Sequence, residues 1–491
     1  MYTIKGKKTD WEVIIGLETH IEVLSKSKLF SGASADYNPT VAPNTQVSFV
    51  DAAMPGMLPV LNRECVHQAI KMGLGLNAEI SRKSRFARKQ YFYPDLPSGY
   101  QISQPAEEPP VVGRGWIEIV GDDGNPKKIL IQRAHLEQDA GKNKHDAHAT
   151  KTFVDLNRSG VALLEIVTFL DVNPGAENSF ITSPDEAEKY LREIRSIARA
   201  LGVSNANMEE GSMRADVNVS VRPVGEKTFR TRTETKNMVS FKFIKTAIEY
   251  EARRQIEIYE NDGKVSQDTM HYNQDSGTTT VMRSKEDALD YRYFPDPDLL
   301  PLIITDDEIE RVRKNMPELP VARKKRYIEM GVTPFDANRI GEDSDLYKYF
   351  DDAIGGIPAR AKTVANWMLG ELAAHPEFSM PAEYLSEIAD MILADEITNK
   401  IAKDVFAKML DGISGSPKEI VDQFGLKQTT DTSLIESAID EVIAANSDSV
   451  RQYRDGKTGL LGFFVGQVMK KTGGTANPKT VNELVSKKLQ G

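Results

Sequence analysis

WEVIIGLETHIEV (residues 11–23) alternates its side chains with period two. Leu17, Thr19, Ile21 and Val23 take one side of an extended chain, and Glu18, His20 and Glu22 take the other. Three further runs repeat the device. In ILIQRAHLEQD (129–139), Arg133, His135, Glu137 and Asp139 share a face, while Gln138 points with Leu136 to the opposite one. In RADVNVSVRP (214–223), Val217, Val219 and Val221 oppose Arg214, Asp216, Asn218, Ser220 and Arg222. Over Phe229–Lys236, Arg230, Arg232, Glu234 and Lys236 oppose Thr231, Thr233 and Thr235. Each run predicts a strand. A half-exposed antiparallel sheet produces the same alternation. These polar sides, however, are rich in carboxylate, imidazole and guanidinium rather than Thr, Gln and Lys. A glycine-bearing turn, Met208-Glu209-Glu210-Gly211-Ser212, also lies beside them. Joined in one sheet, the four faces form a cradle of acidic ligands flanked by arginines.

That combination suits phosphoryl transfer. Carboxylate oxygens, with one imidazole, hold Mg²⁺ against phosphate oxygens. Arginines match the phosphate fork and neutralise charge on the group in transit. The sequence has no Gly-x-x-x-x-Gly-Lys-Ser/Thr loop, no Ser/His/Asp order and no histidine-rich zinc spacing, which sets aside three common alternatives.

Around this core the chain changes character near residue 300. Before it, strands alternate with helices expected at Arg63–Leu76, at Pro184–Leu201 behind a Ser183 cap, and at Phe241–Tyr259. After it, apolar residues recur at i, i+3 and i+4, as in Ala382–Leu410. The 491 residues are too many for one ordinary domain. The reading is an α+β chain: a mainly antiparallel cradle over 1–298, a helical domain over 299–412 and a small helical tail over 413–491. One cysteine, Cys65, excludes a disulfide framework and a thiolate zinc cluster, and is expected to pack a helix. No run approaches the ~18 apolar residues of a membrane helix, and the N-terminal residues lack a signal-like apolar stretch. A cytoplasmic setting without membrane contact is expected. The net charge of −10 is unevenly spread: Arg451–Gly491 holds eight basic and two acidic residues, a basic end suited to a polyanion.

Longer motifs extend over nearly the whole chain: IGLETHIEVLSKSKLFS (15–31), PGMLPVLN (55–62), RKQYFYPDLPSGYQISQ (88–104), HLEQDAGK (135–142), DLNRSGVALLEIV (155–167), MEEGSMRADVNVSVRP (208–223), TETKNMVSF (233–241) and MRSKEDALDYRYFPDPDLLPL (282–302). In order and spacing they resemble the B-subunit family of aspartyl/glutamyl-tRNA amidotransferases. The archaeal branch carries an additional inserted domain for which this length leaves no room. The resemblance implies a glutamine-synthetase-like cradle followed by helical and YqeY-like domains. It implies a ligase that phosphorylates the side-chain carboxylate of Glu-tRNA(Gln) or Asp-tRNA(Asn) with ATP and Mg²⁺. Ammonia from the amidase (glutaminase) partner then displaces phosphate, and a small third protein ties the amidase to this chain.

Carried onto this chain, the resemblance makes Glu18, His20 and Glu137 the first metal candidates, with Glu209 and Glu210 next. Arg214, Asp216, Asn218 and Lys236 are expected to orient ATP phosphates or the aminoacyl end. Tyr91, Tyr93 and Tyr100, near Arg85, Arg88 and Lys89, are candidates for receiving the tRNA 3′ end, with core packing as the alternative. His135 is read as a ligand or a structural hydrogen bonder, and His145, His148, His271 and His375 as surface residues. Departures from the family pattern are Gln138 in place of a second acid, Phe169-Leu170-Asp171 with an insertion around Asn173–Thr182, and Val239. Two rival readings remain open: an ATP-dependent ligase or kinase acting on a small metabolite, and a non-catalytic tRNA-binding scaffold.

Overall fold

The computed structural model describes residues 2–36, 40–105, 108–145, 148, 150–169, 179–283, 291–427, 432–474 and 476–490. Leu170, Asp171 and most of the insertion lie outside them. Contacts divide the chain into two compact units, Met1–Leu319 and Pro320–Gly491.

The spine of the first unit is a sheet of β1 Asp10–Glu22, β2 Ala87–Gln90, β3 Tyr100–Ser103, β4 Pro126–Gln138, β5 Ala162–Thr168, β6 Met213–Pro223, β7 Thr233–Met238, β8 Thr269–Asn273, β9 Thr278–Arg283 and β10 Phe294–Pro295. Their order is β9-β8-β7-β6-β1-β5-β4-β3-β2-β10, with Thr3–Lys5 beside β1 and Gly115–Val120 beside β4. Among the described residues, only β7 and β8 pair in parallel. At the centre, β6 and β1 match without interruption from Met213 opposite Ile21 to Pro223 opposite Trp11. Val13, Ile15, Leu17, Leu136, Leu164, Ile166, Val217, Val219 and Val221 are almost wholly buried on one side. A slip of one residue would turn them all to the other face, so burial fixes the register.

Helices α1 Arg63–Gly75, α2 Pro184–Ala200 and α3 Phe241–Glu260 contribute to the same core through residues such as Ile70, Leu191 and Ile248. Ser183 caps α2 by accepting a bond from the Glu186 amide, and Pro184 stands at the first helical position, where its missing N–H costs nothing. Cys65 is buried in α1, and burial pushes its thiol up to about 11.

The strand expected over 229–236 begins only at Thr233. The preceding side chains find partners elsewhere: Phe229 meets Phe180 at 5.5 Å, and Arg230 pairs with Glu226 while lying over Trp11 and Tyr259. The boundary drawn after 298 also moves. Helix α4, Asp306–Lys314, is tied to α1 and its neighbourhood by Glu308–His67 at 2.8 Å and Asp306–Arg82 at 2.6 Å, so the first unit continues to Leu319.

The second unit is helical. One core spans Tyr327 to Val421 and another spans Ile435 to Leu489. Ile420 and Val421 pack with the first core, so the boundary drawn at 413 falls before a helix that belongs to the preceding body. The run Ala382–Leu410 is two helices, Ala382–Leu393 and Asn399–Leu410. Asp395 takes a left-handed φ of 55°, and Thr398 caps the second helix through the Ile401 amide. Among the described residues no helix is long and apolar enough to cross a membrane.

A polar knot fastens α3 beneath the sheet. Glu251 and Gln255 are fully buried. Glu251 accepts bonds from Thr233 at 2.7 Å, Thr279 at 2.8 Å and Arg254 at 2.6 Å, while Gln255 donates to the Val219 carbonyl at 3.0 Å. Burial alone would raise the Glu251 pKa. The hydrogen bonds from Arg254 and Thr233 outweigh it and hold the carboxyl below its ordinary value. A depressed folded value stabilises the protein above the unfolded pKa, and that stability disappears as pH falls through the folded value. Glu251→Ala is therefore expected to cost about 3–5 kcal/mol in urea unfolding near neutral pH. Wild type and variant should converge on acidification; a gap unchanged in strong acid would contradict the account.

Candidate active site

The polar face of the sheet is organised by cross-strand register. One row runs Arg214 on β6, His20 on β1, Glu165 on β5 and His135 on β4. The next runs Asp216, Glu18, Val167 and Arg133. Glu137 lies two positions beyond His135 and shares its face. Because like-facing residues on a strand are about 7 Å apart, Glu18 and His20 reach different partners. His20 Nε2 lies 3.2 Å from Glu165 and 3.6 Å from Glu137. Glu18 accepts a bond from Asn218 Nδ2 at 3.2 Å and faces Asp216 and Glu234. Two donor groups result, His20–Glu137–Glu165 and Glu18–Asp216–Glu234, each with one ligand atom per residue within 4.8 Å of the others.

Local irregularity completes the second group. Pairing of β6 with β7 shifts between Ala215 opposite Met238 and Val217 opposite Thr235, leaving an extra residue on β7. Asn237 there adopts φ 56° and donates its amide to Asp216 at 2.8 Å. Lys236 is thereby aimed between two acids, 3.2 Å from Asp216 and 3.2 Å from Glu234.

The face is polar yet not open: Asp216, Asn218, Ser220 and Arg222 are all buried, as are His135 and Glu137. The electrostatic consequences are direct. Burial raises the Glu18 carboxyl, and Glu165, Glu234 and Asp216 push it further. Burial and neighbouring Asp139 lift Glu22 to about 7. Burial would lower His20, but the bond and charge of Glu165 outweigh it and raise its pKa. Burial wins at His135, whose pKa is lowered. Burial opposes ionisation of Glu165, yet His135 and His20 bring it well below the ordinary carboxylate range. Lys236 is raised despite burial, through Asp216 and Glu234. Crowded carboxylates with few compensating cations are what a divalent ion relieves. The all-oxygen group fits a hard cation such as Mg²⁺, and the group containing an imidazole also suits Mn²⁺.

Two cavities open on this face. The smaller, about 190 Å³, is lined by both donor groups (save Glu234) together with Lys89, Arg133, Lys236 and Tyr293. The larger, about 470 Å³, is lined by Gly16, Asn218, Phe169, Phe229, Arg230 and Arg232. Glu18 and Arg133 line both.

Of the residues expected from sequence, Glu18, His20, Glu137, Asp216 and Lys236 thus meet at the smaller cavity and Asn218 at the larger. Arg214 stands beside them, 3.6 Å from Asp139. Glu209 and Glu210 do not join: both are exposed on their turn, where the Glu209 amide donates to Asn207 and the Glu210 carboxylate accepts from Asn205. Arg88 is engaged by Asp296 at 2.8 Å and Asp298 at 2.7 Å and stacks on Tyr100. Tyr91 packs against Tyr93 and Tyr291, whereas Lys89 turns into the smaller cavity with its ammonium 4.8 Å from the Tyr291 ring. Glu165 was not singled out from sequence. Its signal is a lone charge in the buried run ALLEIVT (162–168).

A family model described as the GatB/GatE catalytic domain matches residues 13–310, and one described as the GatB domain matches residues 348–489. Proteins named as the B subunit of aspartyl/glutamyl-tRNA(Asn/Gln) amidotransferase are similar from end to end. That of Rhodospirillum rubrum is 50% identical and that of Paramagnetospirillum magneticum 48%, with both chains covered in full. That of Acidiphilium cryptum is 50% identical over 99% of each chain.

Manganese binding discriminates between the placements of the acids. Glu165→Gln is expected to weaken Mn²⁺ binding, followed by electron paramagnetic resonance, at least ~10-fold. Glu209→Gln should leave it unchanged; equal losses in both variants would refute the assignment.

Proposed function

The chain belongs to the B-subunit family of aspartyl/glutamyl-tRNA(Asn/Gln) amidotransferases, and from that membership we propose that its polar sheet face is the site where ATP activates the side-chain carboxylate of Glu-tRNA(Gln), Asp-tRNA(Asn) or both. The observation that carries the reading is the pairing of two acidic donor groups at one cavity with a larger, arginine-lined cavity beside it. A carboxylate is a poor electrophile until one of its oxygens becomes a leaving group. Its attack on the γ-phosphorus forms an acyl phosphate and releases ADP, and ammonia then expels phosphate to leave the amide.

In this reading Glu18, Asp216 and Glu234, with His20, Glu137 and Glu165 beside them, hold the divalent cation. When bound, Mg²⁺ supplies neutralising charge to the phosphate oxygens. Asn218 fixes the Glu18 carboxylate. Lys236 restrains Asp216 and Glu234 and offers a point charge to a phosphate. Lys89, above the Tyr291 ring at the cavity wall, suits the incoming aminoacyl end. The fold is taken as a glutamine-synthetase-like cradle, on the support of its mainly antiparallel sheet with a buried polar face. Ammonia would arrive from the amidase (glutaminase) partner, tied on by the small third protein, in a cytoplasmic complex. The basic YqeY-like tail would hold tRNA phosphates.

The scaffold reading is separated by one variant. Glu18→Gln in the assembled complex is expected to abolish ADP formation dependent on mischarged tRNA, while tRNA affinity measured by filter binding stays at the wild-type level. Unaltered amidation would return the chemistry to another component of the complex.

A further inference from the structure

Most guanidinium groups in and around the cradle sheet are already engaged. Arg222 is bound to Glu12, Arg230 to Glu226, Arg158 and Arg214 to Asp139, and Arg88 to Asp296 and Asp298. Arg133 differs. Among the described residues its side chain makes no ion pair and no hydrogen bond, and its Nε is buried without a partner. It lines both cavities. A buried donor left unmet is destabilising, and a ligand that brings acceptors to it removes the penalty.

Its position defines which ligand atoms those are. In the row Asp216–Glu18–Val167–Arg133, the apolar Val167 separates the acid from the guanidinium. Two interstrand spacings put the Glu18 and Arg133 backbones roughly 10 Å apart. The gap has an acidic, cation-holding wall on one side, a guanidinium on the other and an uncharged floor. Glu18 and Arg133, which bound it, line both cavities. A tetrahedral anion passing between the two cavities would cross it.

We propose that Arg133 is a catalytic residue for the phosphoryl step. Its guanidinium receives the equatorial oxygens of the γ-phosphoryl group as that group leaves a nucleotide in the larger cavity for a carboxylate in the smaller one. The carboxylate oxygen forms the new bond to phosphorus, the bond to the β–γ bridging oxygen breaks, and its electron pair departs with ADP. Arg133 transfers no proton. It balances charge that is greatest in transit. The assignment rests on the function proposed above.

The test uses the assembled amidotransferase carrying Arg133→Gly or Arg133→Lys. Three quantities are read: ADP formation with mischarged tRNA, affinity for Mg·ADP, and the tightening of Mg·ADP binding on adding aluminium fluoride, a mimic of the phosphoryl group in flight. Arg133→Gly should slow ADP formation roughly 10²–10³-fold, leave ADP affinity near wild type, lose the fluoride-dependent tightening and recover rate on adding guanidinium ion. Arg133→Lys, which keeps the charge and guards against misfolding of the glycine variant, should fall between because it cannot bind two oxygens as a planar fork. If saturating ATP restores the full rate to both variants, or if fluoride tightens binding equally in variant and wild type, Arg133 is not catalytic. If the wild-type complex itself forms no ADP in response to mischarged tRNA, the functional reading fails, and this assignment with it.

Discussion

Glu165 stands between two imidazoles because three strands match in one register: His20 and His135 both lie opposite it, one on each strand that flanks β5. Little else about the site is independent of that arrangement. The apolar sides of the same strands are buried against helices, so no strand can slide without exposing Val, Ile and Leu while burying charge. Carboxylates that would repel one another in a flexible chain are held together by a hydrophobic core they do not touch. Energy from apolar burial maintains an electrostatic configuration that is unfavourable by itself.

That configuration defines the chemistry. Glu18 and Glu22 are raised by burial and by neighbouring acids, Glu165 is lowered by its histidines, and Lys236 is raised between Asp216 and Glu234. Groups pushed in opposite directions over a few ångströms mark a site short of positive charge. A divalent cation would supply the missing charge, and phosphate oxygens would supply the acceptors that the Arg133 guanidinium lacks. The two cavities share Glu18 and Arg133 in their walls.

The sequence disclosed faces better than neighbours. Period-two parity placed Glu18, His20, Glu137, Asp216, Asn218 and Lys236 on polar sides, and the helices around Arg63, Pro184 and Phe241 followed from caps and spacing. Parity does not say which strands adjoin. It therefore grouped Glu18 with His20, where cross-strand register gives each its own partners, and it passed over Glu165, whose importance lies wholly in its neighbours on β1 and β4. Glu209 and Glu210 entered through the family resemblance, but a tight turn leaves them exposed. Arg230 shows the same limit in reverse: its alternation fits a strand, yet Glu226, Trp11 and Tyr259 remove it from the ladder. The buried knot of Glu251 and Gln255 depends on hydroxyls of β7 and β9, which no helical periodicity reveals.

What must hold for all of this is that the acids gather around a metal rather than merely around one another. Anomalous diffraction at the manganese edge, from crystals soaked with Mn²⁺ and a non-hydrolysable ATP analogue, tests it most directly. The account predicts manganese density coordinated by Glu18, Asp216 and Glu234, with His20, Glu137 and Glu165 beside them, on the side that faces the nucleotide's phosphates. Anomalous density elsewhere, with these side chains still paired only to their own lysine and histidine neighbours, would contradict it.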